Sequence, residues 1–385
     1  MKLKVFAVGL IILAGAALIL YSRRNPLQVS CQQNTNPSAS NLPDKPDAKK
    51  ALIKFYEQCL KPQYAQGFAQ GSKNYNSESQ AYALLQSFWA GDSKTFAEVL
   101  AWTESNLARP NDHLLSWQFD VGTDGHTRVL DQNSATDADT DYAYALLLAG
   151  SNWHNDDYIK EGTDVAADIW DKETGEAAGK RLVIAGNWAN QPDQLVVDPS
   201  YFSPQAYRLF AQYDKGHDWS KLITDGYNLL TQVSEHGSSQ PFVPPNWVAV
   251  RKIDGTILPY ADKPQSQDFG YDAFRVFWRV AFDFQNSPSD AAKLYLSSAG
   301  SFASDWQSRG QTCALYLYQN GNNTCDHSTT STLAAPIGIF AINNPTLANQ
   351  VVNKYYFVGD TLKFPDTDFY AQSWHWFAMW LWINS

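Results

Sequence analysis

The residues of this chain best suited to proton chemistry are carboxylates set just ahead of apolar helical runs, and three stretches carry them. In Asn76-Ser77-Glu78-Ser79-Gln80-Ala81-Tyr82, Ser77 and Gln80 read as a capping box, which sets Glu78 in the first turn of a helix where a groove can reach it. Glu is favoured there for electrostatic reasons alone. The same helix dipole lowers its pKa, whereas a general acid must keep its proton near neutrality, so apolar or acidic neighbours would have to outweigh the dipole. In Ala135-Thr136-Asp137-Ala138-Asp139-Thr140-Asp141-Tyr142 three acids alternate as at the opening of a calcium loop. Tyr142 in place of Gly at the sixth position and Leu148 in place of Glu at the twelfth reject an EF-hand. Thr136 to Asp139 can instead cap the next helix, with Asp137 just ahead of it and facing outward, and Asp139 reads as a cap. In Asp268-Phe269-Gly270-Tyr271-Asp272-Ala273-Phe274-Arg275, Asp272 and Arg275 stand one helical turn apart. That spacing suits an internal ion pair, and equally a general base whose carboxylate an Arg holds ionised. Asp268 is the alternative base.

The elements that must position these acids are helices. Apolar periodicity recurs over 80–90, 95–107, 142–153, 164–170, 204–213, 219–233, 273–284, 290–299 and 369–383, while strand alternation is scarce. Gly, Pro, Asn and Asp loops separate the helices, and some are long, as from Ser234 to Asp268. Many helices with long loops at one end fit a closed helical toroid whose loops build a functional face.

Ahead of the helices, Met1-Lys2-Leu3-Lys4 precedes an uncharged apolar run from Val5 to Tyr21. At about 17 residues it lies between a signal-peptide core and a full membrane span. Residues 1–24 are thus a signal or anchor, and Ser22-Arg23-Arg24, where a small-residue cleavage site belongs, favours an uncleaved anchor. Gln28 does not fit a lipoprotein box before Cys31. Residues 25–47, rich in Asn, Pro, Ser and Gln, read as a disordered linker, and 48–385 as one domain. Export permits disulfides. Cys313 and Cys325 flank a turn-rich stretch and could close a short loop or remain two thiols, while Cys59 reads as a small core residue. The net charge of −10 argues against nucleic acid, whose binding needs clustered Lys and Arg. The 14 Trp suit stacking on sugar faces as well as core packing.

Taken together, the Ser-Glu-x-Gln-x-Tyr segment at Glu78, the stretch from Ala135 to Trp153 and the Tyr-Asp-Ala-x-Arg segment at Asp272 resemble glycoside hydrolase family 8. Asp198-Pro199-Ser200-Tyr201 and Tyr370-Ala371-Gln372-Ser373 look like further family segments. The resemblance implies an all-α fold, an (α/α)6 barrel. It implies Glu78 as general acid, Asp272 as general base, Asp137 as the residue that positions the sugar, and Tyr201, Arg275 and Trp153 as substrate-binding. It also implies endo-acting, inverting hydrolysis of β-1,4-glucan by a monomer with no cofactor and no metal; the N-terminal segment adds export and a membrane attachment, and the net charge the lack of a nucleic-acid partner. Chitosan and mixed-linkage glucan are the alternative substrates. A barrel that binds polysaccharide without cutting it is the alternative function, and a polysaccharide lyase would need a basic cluster that these segments lack. Ser79, Tyr142 and Asn246 depart from the family pattern. Asn246 stands where Asp is expected before Trp247, which puts one polar contact in doubt.

Overall fold

The computed structural model describes residues 28–31, 42–64, 75–122, 126–235, 240–359 and 361–385. The apolar run 5–21 lies outside them, and among the described residues no helix is long and apolar enough to cross a membrane.

Helices dominate: α1 (Lys45–Phe55), α2 (Ser77–Ala90), α3 (Ser93–Leu107), α4 (Thr136–Trp153), α5 (Asp156–Lys172), α6 (Pro204–Tyr213), α7 (Trp219–Ser234), α8 (Arg275–Asn286), α9 (Asp290–Ser298), α10 (Gly300–Arg309), α11 (Ala334–Asn343), α12 (Pro345–Tyr356) and α13 (Phe369–Asn384). Short polar side chains start many of them by accepting an otherwise orphan amide: Asp92 from Thr95, Asn155 from Asp157 and Tyr158, Asp218 from Lys221, Ser289 from Ala292, and Asp368 from Ala371.

The packing closes a ring. Helix α2 lies against α4, α4 against α6, α6 against α8, α8 against α11, α11 against α13, and α13 back against α2. Each inner helix carries an outer partner: α3 on α2, α5 on α4, α7 on α6, α9 on α8, α12 on α11, and α1 on α13. This is an (α/α)6 barrel. The two rings differ as their surroundings require. Inner α4 is buried at every residue from Thr136 to Leu147, whereas outer α5 buries one stripe, Gly162, Val165, Ala166 and Ile169.

Strands are confined to connections. They are β1 (Gln28–Ser30), β2 (Tyr75–Asn76), β3 (Gln118–Val121), β4 (Thr127–Asp131), β5 (Thr174–Ala177), β6 (Lys180–Val183), β7 (Gln194–Val197), β8 (Val248–Arg251), β9 (Ile257–Pro259), β10 (Leu315–Gln319), β11 (Asn322–Asp326), β12 (Phe357–Val358) and β13 (Thr361–Lys363). They pair in the orders β1-β13-β12, β2-β3-β4, β5-β6, β7-β8-β9 and β10-β11.

Several expectations change. Periodicity missed α11, whose sequence is apolar on all sides and so has no period to read, and it missed α1, α10 and α12. The linker expectation for 25–47 meets two anchors: β1 pairs in parallel with β13, and Cys31 is bonded to Cys59. Cys59 is therefore half of a cross-link, not a lone core thiol, and α1 opens at Lys45, ahead of residue 48. Cys313 and Cys325 are also bonded, across the base of the β10–β11 hairpin.

The inner crossing of α8 and α11 is close because Gly338 presents no side chain: a Cβ there would stand 2.9 Å from the Phe277 carbonyl oxygen. Backbone cannot swing aside as a flexible side chain can. Gly338→Ala is therefore expected to cost about 1–3 kcal/mol through overpacking, read as a lowered denaturation midpoint; an unchanged midpoint would mean that this crossing is not tight.

Candidate active site

Five of the side chains singled out in the sequence meet at one end of the barrel. Glu78 is the second residue of α2 and Asp137 the second of α4; Asp272 sits in the turn ahead of α8, and Arg275 is that helix's first residue. Tyr201 closes a short 3₁₀ turn before α6. The N-termini of inner helices therefore converge here, and their dipoles favour the gathered acids.

Local sequence sets each position. Asn76, not Ser77, caps α2, with its Oδ1 accepting the Ser79 amide at 2.9 Å, so the expected capping box is displaced by one residue while Glu78 stays in the first turn. Helix α4 begins at Thr136, earlier than expected. That turns Asp137 inward and buries it, with Asp137 Oδ1 accepting the Ala138 amide at 2.9 Å. Asp139 is no cap: it accepts the amide of Leu115 at 2.8 Å.

At the centre is the guanidinium of Arg275, 2% exposed. Nη1 donates to Glu78 Oε1 and to Asp137 Oδ2 at 2.7 Å. Nη2 donates to Asp272 Oδ1 at 3.3 Å and lies 3.6 Å from Asp198 Oδ2. The Tyr201 ring lies 5.3 Å below the guanidinium carbon, a cation–π contact. Burial alone would lower the pKa of Arg275, but Tyr370, Glu78, Tyr82 and Asp137 raise it well above its usual value, so the cation is permanent.

The four acids differ. Burial, opposed by Arg275 and reinforced by Asp137, raises the Glu78 carboxyl to about 8, so it holds a proton at neutral pH. Both of its donors, Arg275 and the Tyr82 hydroxyl, sit on Oε1; Tyr82 is itself fixed by the indole of Trp374 at 3.1 Å. Asp272 is the open one, its side chain 39% exposed, with Oδ2 accepting the Trp247 indole N–H at 2.9 Å. Asp198 is fully enclosed. Burial and then the charge of Asp272 raise its carboxyl well above the normal range, and its Oδ1 accepts the Ser200 amide and hydroxyl at 2.8 and 2.7 Å.

Asp268, the alternative base, is occupied elsewhere: it is buried, and its Oδ1 accepts the Tyr318 amide from β10 at 2.7 Å. Asn246 accepts the amides of Gly270 and Ala273, each at 3.1 Å. The polar contact in doubt at that position is thus made by a neutral amide, which braces the turn carrying Asp272. Trp153 does not join the group. It ends α4, about 24 Å along the helix from Asp137 at 1.5 Å per residue, and packs on Phe88 and Phe96. Sequence reasoning missed Tyr82, Asp198 and Trp247 as site residues. Tyr82 was within reach, since it follows Glu78 by four residues on the same helix; Trp247 comes from a distant loop.

The match to the family model "Glycosyl hydrolases family 8" runs over residues 66–382. An endoglucanase of Cellulomonas uda is 32% identical over 203 residues, 52% of this chain and 54% of that protein, so the chain matches about half the length of this curated relative. Among solved structures, a family 8 endo-β-1,4-glucanase from an Achatina fulica gut metagenomic library is 26% identical, with a TM-score of 0.66 over 87% of this chain and 96% of that one. The β-1,3-1,4-glucanase of Paenibacillus sp. X4, at 19% identity, shares the fold with a TM-score of 0.74 over 94% of this chain and 99% of that one. With a family match over most of its length and the fold that goes with it, this chain belongs to the glycosyl hydrolases of family 8.

Proposed function

We propose that the protein is an endo-acting β-1,4-glucanase that inverts the anomeric carbon, with Glu78 as general acid and Asp272 as general base. The observation that carries this reading is the unequal exposure of two acids on one guanidinium: the Glu78 side chain is 15% exposed and its carboxyl is raised to about 8, whereas Asp272 is open to solvent and held by Trp247 and Arg275. A glycosidic oxygen needs a proton to leave, and the raised Glu78 carboxyl has one to give. Activating water needs a carboxyl oxygen that the water can reach, and Asp272 is the exposed one. Asp137, buried and fixed from both sides, is placed to hold the sugar ring as it flattens. The endoglucanase and glucanase names of the relatives and structural neighbours favour a glucan.

Four carboxyls around one guanidinium make the site acid-rich. This opposes a uronate substrate, and with it the lyase alternative, and it leaves chitosan, a polycation, as the second substrate to assay. Two disulfides support export to an oxidising compartment, with attachment through residues 1–24 as the corresponding proposal for the membrane.

Glu78→Gln and Asp272→Asn are each expected to lower kcat on soluble cellulose by roughly 10²–10⁴ while leaving the denaturation midpoint near that of the parent. Substantial residual turnover in either would reject its role. Proton NMR of the first products should show the α-anomer before mutarotation, and an initial β-product would overturn inversion.

The pH dependence follows from Glu78. Because its carboxyl is raised, the catalytic proton is present at low and neutral pH and is lost as pH climbs through about 8. The kcat profile should therefore fall on an alkaline limb near that value, and a profile flat to pH 10 would remove Glu78 as the acid.

A further inference from the structure

Two residues beyond Asp137, a second pair of acids is sealed in the core. Residues two apart on a helix point about 200° apart, so Asp139 faces away from Arg275, toward the end of α5. There it meets Glu173, the residue that ends α5. Both side chains are fully buried. Each gives one oxygen to a neutral donor: Asp139 Oδ1 accepts the Leu115 amide at 2.8 Å, and Glu173 Oε1 accepts the Ser134 hydroxyl at 2.6 Å. The other oxygen of each, Asp139 Oδ2 and Glu173 Oε2, is buried and finds no donor among the described residues. Yet the two carboxyls are within hydrogen-bonding reach of each other. Two buried acceptors with no donor are a cost that a single proton between them removes.

The groups facing this pair do not supply a substitute. Arg109 is already engaged, its Nε 2.9 Å from Asp112 Oδ1 and its Nη1 donating to the Gln132 carbonyl at 2.7 Å. The Thr136 hydroxyl donates to the Ile184 carbonyl at 2.6 Å. Asp137, on the same turn, adds a like charge felt by Glu173, and Tyr142, one turn on, is neutral, its pKa raised by burial first.

We propose that Asp139 and Glu173 share one proton, and that this acid–carboxylate bridge is the positioning device for Asp137, fastening the first turn of α4 to the end of α5 and to the backbone at Leu115. The segment that it fastens is the one leading into Asp137. Ser134 also donates its amide to Asn187 at 2.8 Å, so the bridge and this loop contact together fix the entry to α4. With the proton gone, two like charges face each other in a dry site, and the turn carrying Asp137 is the part that can yield. The titration agrees in direction. Burial and then the charge of Glu173 raise Asp139 well above the carboxylate range, and burial raises Glu173 to about 7 against the hydrogen bond from Ser134. For acids raised in the folded state, the stabilisation is complete at low pH and is lost as pH rises through the folded values.

The positioning half of this proposal rests on reading Asp137 as the residue that holds the sugar; the shared proton does not. Asp139→Asn is the informative variant, because its amide can donate to Glu173 and accept from Leu115 without titrating. As pH rises from about 4, the unfolded carboxyl value, through about 7, the folded value of Glu173, the parent should lose thermal stability, and Asp139→Asn should lose clearly less. The infrared difference spectrum at pH 7, parent minus Asp139→Asn, should contain one protonated-carboxyl C=O band. Equal pH dependence of the two midpoints, or no such band, overturns the bridge whether or not the protein cuts glucan. For positioning, kcat on soluble cellulose should fall at least about tenfold in Asp139→Leu, as displacement of a catalytic-site group does, with KM within threefold, and should recover in Asp139→Asn. A KM effect in place of a kcat effect, or no recovery, would overturn the positioning role while leaving the proton result to stand or fall separately.

Discussion

Everything at the catalytic end of this barrel is arranged around a shortage of positive charge. One guanidinium, that of Arg275, lies within 3.6 Å of carboxyl oxygens from two helices and two connecting segments. In a buried site a single cation cannot compensate four anions, because each uncompensated charge carries its full desolvation cost. Burial therefore separates the acids: it raises Glu78 to about 8 and Asp198 well above the carboxylate range, while Asp272 faces water. The general acid and general base proposed here would then owe their difference to one electrostatic deficit and unequal burial, not to two separately tuned pockets. Substituting Lys for Arg275 would not reproduce this, since a point charge lacks the planar fork that keeps Glu78 and Asp137 on one nitrogen and Asp272 on the other.

One helical turn deeper the same pair of helices repeats the motif with the account balanced. Arg279 meets Asp141 in a bidentate contact at 2.8 and 2.9 Å, and its Nη1 also donates to the Ser203 hydroxyl oxygen, just ahead of α6, at 3.0 Å. Four residues separate Arg275 from Arg279 and Asp137 from Asp141, so the lower pair locks α4 against α8 in the register that the upper pair needs. On the other side, α13 reaches the acid through two steps, Trp374 to Tyr82 and Tyr82 to Glu78. The acid is thereby held by three inner helices, although it belongs to only one.

How much of this could be read beforehand differs residue by residue. The three carboxylates and Arg275 announce themselves because each lies at a helix start within a recognisable segment, and helix starts are written locally in caps and polarity. Trp153 shows the limit of that reasoning. It belongs to the same helix as Asp137, but a helix has two ends, and nothing in the spacing says that the tryptophan is at the far one. Trp247 shows the reverse, a residue brought to Asp272 from a separate loop by tertiary structure alone. Asp139 was legible as an acid and not as half of a pair, because Glu173 lies 34 positions later in the sequence. Helix α11 vanished from the periodicity for a simple reason: an inner helix surrounded by apolar neighbours has no polar face to set a period.

Closure of the inner ring has a kinetic side. The ring becomes continuous only when α13 packs between α11 and α2, and the contact that completes the acid's support joins residues 292 positions apart. The same helix meets the beginning of the domain, where the Lys45 amine donates to the Trp382 carbonyl at 2.6 Å. A chain emerging from the ribosome can pair its early helices but has no partner for the open side of α2 until residues past 370 are synthesised. Folding of the whole domain is therefore post-translational by construction. A polypeptide that cannot lock itself shut during synthesis also stays open to whatever handles the nascent chain until its last helix is made.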